Sequence, residues 1–177
     1  MTESLFFDTD CLSAFLWINN QSLLAQLYSG QIIIPAQVYE ELSNPMVSHL
    51  KDRVDLMIER KEARIERIQT DTVEYKLYRK MTFKPDHGHV IIGKGEAAAI
   101  AMAKERRGIL ASNNLKDISV YIDEFGLENL TTGDILREAF IKGLITEDEG
   151  NRLWSEMLKK RRKLGFESFS SFLRSNL

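Results

Sequence analysis

Ser4-Leu5-Phe6-Phe7-Asp8-Thr9-Asp10-Cys11-Leu12-Ser13 decides how the rest of the chain is read. An apolar run, Leu5-Phe6-Phe7, stops at Asp8, and an apolar helix is expected from Cys11 to Asn19. A carboxylate set between a buried strand and a helix needs a partner or a cation, because an isolated buried charge is strongly unfavourable. In open α/β sheets, ligands bind outside the carboxyl ends of the strands. Whatever meets Asp8 there must come from later in the chain.

Working outward, Gln21–Tyr28 predicts a second helix that stops at Ser29-Gly30. Ile32-Ile33-Ile34 is β-branched throughout and predicts a strand. Pro35 suits the first turn of a helix over Ala36–Ser43. Asn44-Pro45 breaks the chain. Met46–Arg64 then predicts a long helix, with Leu50, Val54, Met57 and Ile58 at helical spacing. A short strand is expected at Ile65–Ile68, a helix at Thr70–Lys80 and a loop at Phe83–Gly93. The segment from Lys94-Gly95-Glu96 to Ala103 is rich in alanine, the best helix former, and its small side chains allow close packing on a sheet. Gly108–Ala111 predicts a strand, and Leu115–Glu124 a helix that Ser112 or Asn114 would cap. A last strand is expected at Leu127–Leu130 and a helix at Ile135–Lys142. Thr146 and Glu149 form a capping-box pattern that opens a helix over Glu147–Arg162, and an amphipathic tail follows at Phe166–Leu177. Short strands alternating with helices indicate an α/β fold, here a small parallel sheet flanked by helices.

The totals restrict the function classes. With 177 residues and 44% hydrophobic content, the chain can bury one sizeable core, as one domain or a domain with a tail. A formal net charge of -2 excludes a globally basic nucleic-acid binder, so any such binding needs a local patch. The single cysteine, Cys11, cannot form an intramolecular disulfide, which fits a reducing cytoplasm. Asp8 and Asp10 interrupt the apolar run that a secretory leader requires, and no apolar stretch approaches the length needed to span a bilayer. A cytoplasmic protein without a membrane association is expected.

Four carboxylates fall where strands or turns give way to helices: Asp8, Glu41, Glu96 and Asp117. Right-handed parallel connections bring successive strand ends to one edge of the sheet. Carboxylates converging there repel one another unless a cation intervenes, and hard oxygen donors suit Mg²⁺ or Mn²⁺. Such a site activates water and stabilises an in-line displacement at phosphorus. Each residue also has a plainer reading. Asp8 or Asp10 could cap the first helix. Glu40 competes with Glu41, the two pointing about 100° apart on a helix. Glu96 could serve the helix dipole, and Asp117 could be a surface acid.

Four segments in order resemble the PIN-domain ribonucleases, close to the VapC-type toxins. They are Phe7-Asp8-Thr9-Asp10-Cys11-Leu12-Ser13, Ile34-Pro35-Ala36-Gln37-Val38-Tyr39-Glu40-Glu41-Leu42, Gly95-Glu96-Ala97 with Ile100-Ala101, and Leu110-Ala111-Ser112-Asn113-Asn114-Leu115-Lys116-Asp117-Ile118. The resemblance covers residues 4–145. It implies a PIN-like three-layer α/β/α sandwich over residues 1–145, with a helical insertion at about 46–93 and a C-terminal helical extension at 146–177. It further implies a metal-dependent endoribonuclease, the toxin of a toxin–antitoxin pair, acting on RNA with Mg²⁺ or Mn²⁺. A cognate antitoxin and a homodimer are the implied protein partners. Asp8, Glu41, Glu96 and Asp117 become the catalytic set, with Asp8, Glu96 and Asp117 as metal ligands. Ser112 takes the threonine position of the family's Thr-x-Asn-x-x-Asp pattern and Asn114 its polar position; with Lys94, both are expected to bind substrate. In two places the chain departs from many relatives. Asn114 stands where they carry an acid, and Glu96 where they carry an Asp.

Two other functions fit parts of the chain. Asp8-Thr9-Asp10 after an apolar strand resembles the start of a haloacid-dehalogenase-type phosphatase, with Asp8 as nucleophile and Asp10 as general acid. A non-catalytic PIN-fold binding module is the third possibility, and Asn114 is its supporting feature. His87 and His89 have a spacing that could hold a metal, although no third His or Cys is near in sequence. The basic run Lys159-Lys160-Arg161-Arg162-Lys163 reads as a solvated helix end that could also touch RNA phosphates, as could Lys116.

Overall fold

The computed structural model describes residues 3–175. Strands β1 (Leu5–Phe7), β2 (Ile32–Pro35), β3 (Ala63–Glu66), β4 (Ile109–Ala111) and β5 (Asn129–Leu130) form one sheet in the order β3-β2-β1-β4-β5. Every neighbouring pair is parallel. Leu5 lies opposite both Ile32 and Ile109, so the N-terminal strand is the central one.

Successive strand residues face opposite sides of the sheet. Phe6, Ile33 and Leu110 enter one core, while Leu5, Phe7, Ile32, Ile34 and Ala111 enter the other. Burial on both faces explains the unbroken apolar runs of β1 and β2. The first core is covered by α5 (Val73–Phe83), α6 (Lys94–Arg106) and α7 (Leu115–Phe125). The alanines of α6 are fully buried, which lets its backbone lie close to the sheet. The second core is covered by α1 (Thr9–Trp17), α2 (Gln21–Leu27), α3 (Ala36–Leu42), α4 (Ser48–Glu59), α8 (Thr132–Ile141), α9 (Glu147–Lys159) and α10 (Phe169–Ser175). The result is the expected three-layer α/β/α sandwich.

Two stretches differ from the expectation. Met46–Arg64 is not one helix: Asn44 caps a 3₁₀ turn at Pro45–Val47, α4 ends at Glu59, and Lys61 turns left-handed at φ 58°. The chain must turn there because Ala63–Glu66 pairs with Ile32–Pro35. The stretch 46–93 therefore supplies an edge strand as well as helices. In the second stretch, α9 stops at Lys159 rather than Arg162, since Arg161 adopts φ 59° and sends Arg162 back towards α1. The tail helix begins at Phe169; the last two residues of the expected tail lie outside the described residues.

The C-terminal helices lie in the second core with the rest. Trp154, Met157 and Phe169 are fully buried against it. The Trp154 indole N–H donates to the Phe166 carbonyl at 3.0 Å. Gly150 faces the Phe169 ring so closely that a β-carbon would overlap it. Among the described residues no helix is long and apolar enough to cross a membrane.

Candidate active site

At the carboxyl end of β1, Asp8 is fully buried. One carboxylate oxygen accepts the Cys11 amide at 2.8 Å, so Asp8 caps α1 itself. The other accepts the hydroxyl of Ser112, which follows β4. Asp10, the other candidate for the cap, sits instead in the first turn and faces Arg162 at 3.3 Å. Ser112, expected to bind substrate, is fully buried and gives its hydroxyl to Asp8. Among the described residues no cation pairs with Asp8. Burial holds its carboxyl at about 7, up from an ordinary 3.8; the Ser112 and Cys11 hydrogen bonds oppose the rise, and the charges of Asp10 and Glu96 add to it.

Glu41 lies across the sheet edge on α3. Its carboxylate accepts the Thr9 hydroxyl and the Gly95 amide, the latter at 2.9 Å. These contacts hold Glu41 against Thr9 and Gly95, whereas Glu40, equally exposed, faces Arg67 at 4.0 Å. Gly95 is required for the approach. A β-carbon there would come within 2.6 Å of Thr9 Oγ1 and 2.7 Å of Glu41 Oε2.

Glu96 follows in the first turn of α6. It accepts the Asn114 side-chain amide at 2.7 Å, and the same amide donates to Asp117 at 2.9 Å. Asn114 thus bridges two carboxylates that would otherwise repel. Burial raises the Glu96 carboxyl above its ordinary range, against the Asn114 and Gly93 hydrogen bonds, and nearby Asp117 and Glu41 push it further. Lys94 is exposed two residues before it, at the start of the same helix.

Asp8, Glu41, Glu96, Asp117 and Asn114 thus gather along one edge of the sheet. They offer only hard oxygen donors, from the buried Asp8 and half-buried Glu96 to the exposed Glu41 and Asp117, and such a set of neighbouring carboxylates is chemically suited to a divalent cation such as Mg²⁺ or Mn²⁺. As the side chains stand, no three His, Cys, Asp or Glu among the described residues converge on one ion-sized point. Each carboxylate is held by neutral donors instead. His87 and His89 supply no second centre: His89 faces Glu124 at 3.1 Å and packs edge-on against Tyr121.

Sequence reasoning passed over Thr9, Gly95 and Arg162. Thr9 directly follows Asp8, where a hydroxyl is ordinarily taken as part of a helix cap. Arg162 was read as part of a solvated run, yet its guanidinium reaches the Ser13 hydroxyl at 3.2 Å as well as Asp10, and packs over the Trp17 ring.

None of the curated proteins and none of the solved structures gives a match to this chain. A family model described as "PIN domain" matches residues 4–175. That span runs from the strand preceding Asp8 to the last described helix, and the chain belongs to the PIN-domain family.

Proposed function

We propose that this PIN-domain chain is a divalent-cation-dependent endoribonuclease, and that it is the toxin of a toxin–antitoxin pair. The observation that carries the nuclease reading is Asp8: a fully buried carboxylate beside Glu96 with no cationic partner among the described residues. Asp8, Glu96 and Asp117 would hold Mg²⁺ or Mn²⁺. Bound there, the cation would lower the pKa of a water and offset charge at the phosphate. Ser112 and the Cys11 amide fix the Asp8 carboxylate in one orientation. Glu41, steadied by Thr9 and the Gly95 amide, presents an exposed carboxylate that can take a proton from the attacking water. Asn114 would bridge Glu96 and Asp117, and Lys94 would meet a phosphate oxygen. Membership of the PIN family sets aside the phosphatase alternative.

The toxin role, a cognate antitoxin, a homodimer and a cytoplasmic location are supported only by the likeness of the ordered motifs to VapC-type toxins. The binding-module alternative draws on the absence of three converging ligands. Cleavage of labelled single-stranded RNA is expected with Mg²⁺ or Mn²⁺ and is expected to stop in EDTA. Calorimetry should show Mn²⁺ binding that Asp8→Asn abolishes. A folded protein that binds no Mn²⁺ and cuts no RNA would instead be the inert module. Growth arrest on expression, lost in Asp8→Asn, checks the toxin role.

Gly95→Ala separates site geometry from stability. The new methyl displaces Glu41 and Thr9, whose side-chain ends can swing away, so the fold survives. Alanine in a helix gains about 0.5–1 kcal/mol over glycine, so the melting temperature is expected to hold or rise. A misplacement of roughly 1 Å at the reacting groups can cost about a hundredfold, and turnover is expected to fall by that order. Unchanged turnover would remove Glu41 from the catalytic set.

A further inference from the structure

One opening next to the acidic residues has no part in the reading above. A cavity of about 600 Å³ starts at Asn114 and runs along Leu115 and Lys116 to Lys163 and Phe166. Residues 163–166 also line a second opening of about 650 Å³, so this turn is bordered by open grooves beside the site. Its lining is mixed. Leu115 and Phe166 are 43% and 39% exposed, although both are large and apolar. Lys116 and Lys163 are exposed, and neither enters an ion pair among the described residues. Two acids lie on the walls: Asp134, already engaged by Arg137 at 2.9 Å and by the Thr131 cap, and Glu167, exposed at the second opening.

An exposed ring flanked by uncommitted ammonium groups matches what a single nucleic-acid strand offers, a base face and a phosphate at each step. The volume is in the range of sites that hold one small molecule, enough for a nucleotide or two. The cavity also begins at Asn114, which holds Glu96 and Asp117. We propose that this cavity seats the nucleotides flanking the scissile phosphate of a single-stranded RNA, with a base against Phe166 and Leu115 and the phosphates on Lys116 and Lys163. The proposal rests on the nuclease reading and adds the path of the strand. It also gives the C-terminal turn a direct contact with substrate.

Binding of a labelled single-stranded oligoribonucleotide, followed by fluorescence anisotropy in EDTA, tests this apart from catalysis. Phe166→Ala is expected to weaken binding about tenfold, the order seen for loss of one base–aromatic stack, while Phe166→Tyr keeps it. Lys116→Ala and Lys163→Ala are each expected to flatten the salt dependence by about 0.7 in log–log slope, one phosphate contact on a single strand. These lysines are exposed and leave the core untouched, so they carry the test if Phe166→Ala loosens the packing around Trp154. Lys104→Ala, at the opposite edge of the sheet, should bind like wild type. If the cavity variants bind and cleave like wild type while Asp8→Asn has lost cleavage, the strand path is refuted and the nuclease reading stands. A wild-type protein that neither binds nor cleaves RNA refutes both. Binding of an acidic peptide at Phe166 in place of RNA would assign the cavity to a protein segment and overturn the proposal.

Discussion

Asp8→Asn is expected to cut no RNA and, without a cation, to be more stable than wild type above neutral pH. Both effects follow from one buried group. The folded state holds the Asp8 carboxyl at about 7, whereas its ordinary value is 3.8. Between those values the folded protein binds more protons than the unfolded chain, so stability falls as pH rises through the window and levels off above it. A gap of that size corresponds to something on the order of 4 kcal/mol. The raised Glu96 carboxyl acts in the same direction. Asparagine keeps an oxygen for the Cys11 amide and is a good helix cap, and its NH₂ faces the Ser112 hydroxyl, which can turn to accept, so the charge is the main loss. Urea unfolding in EDTA at pH 5 and pH 8 makes the check. Wild type should lose stability between them and Asp8→Asn should lose much less. A variant less stable than wild type at pH 8 would contradict the account of Asp8 as a charge held without a partner.

A chain ending at Ile145 is expected not to fold. Trp154, Met157, Phe169 and Phe172 belong to the same buried cluster as Leu12, Phe15 and Leu136. Removing α9 and α10 uncovers that face of the second core. Trp154→Ala alone should cost about 3–5 kcal/mol. Typical domains have only about 5–15 kcal/mol in total. Near-ultraviolet circular dichroism and urea titration of the truncated chain check this. A cooperative transition at the wild-type midpoint would show that the extension is an appendage to a self-sufficient domain.

The elements with strong patterns were legible from residues alone. Leu5–Phe7 and Ile32–Ile34 are buried on both faces, so an apolar run is all the information they need to carry. The alanines of α6 announce close packing in the same way. By contrast, β3 was misplaced because it is an edge strand, where Arg64 and Glu66 face partly outward and dilute the apolar signal. At the site, residue types were readable but partners were not. Asp8 and Asp10 are two apart and both chemically fit to cap α1; only the backbone path chooses Asp8. Glu41 and Glu40 are adjacent, and what sets Glu41 apart is its contact with Thr9 and Gly95, which lie 32 and 54 residues away from it. Arg162 reaches Asp10 across 152 residues, a distance no local pattern encodes.

The central place of β1 has a consequence for the order of synthesis. The first strand to be made stays unpaired on one side until β4 arrives about a hundred residues later, and its covering core closes only with α9 and α10. All four carboxylates, Asp8 to Asp117, leave the ribosome before Trp154 does. A growing chain therefore carries every chemical group of the site without the core that spaces them. By this logic the site assembles only when α9 and α10 dock, and the unfolded Ile145 truncation imitates the stage before that.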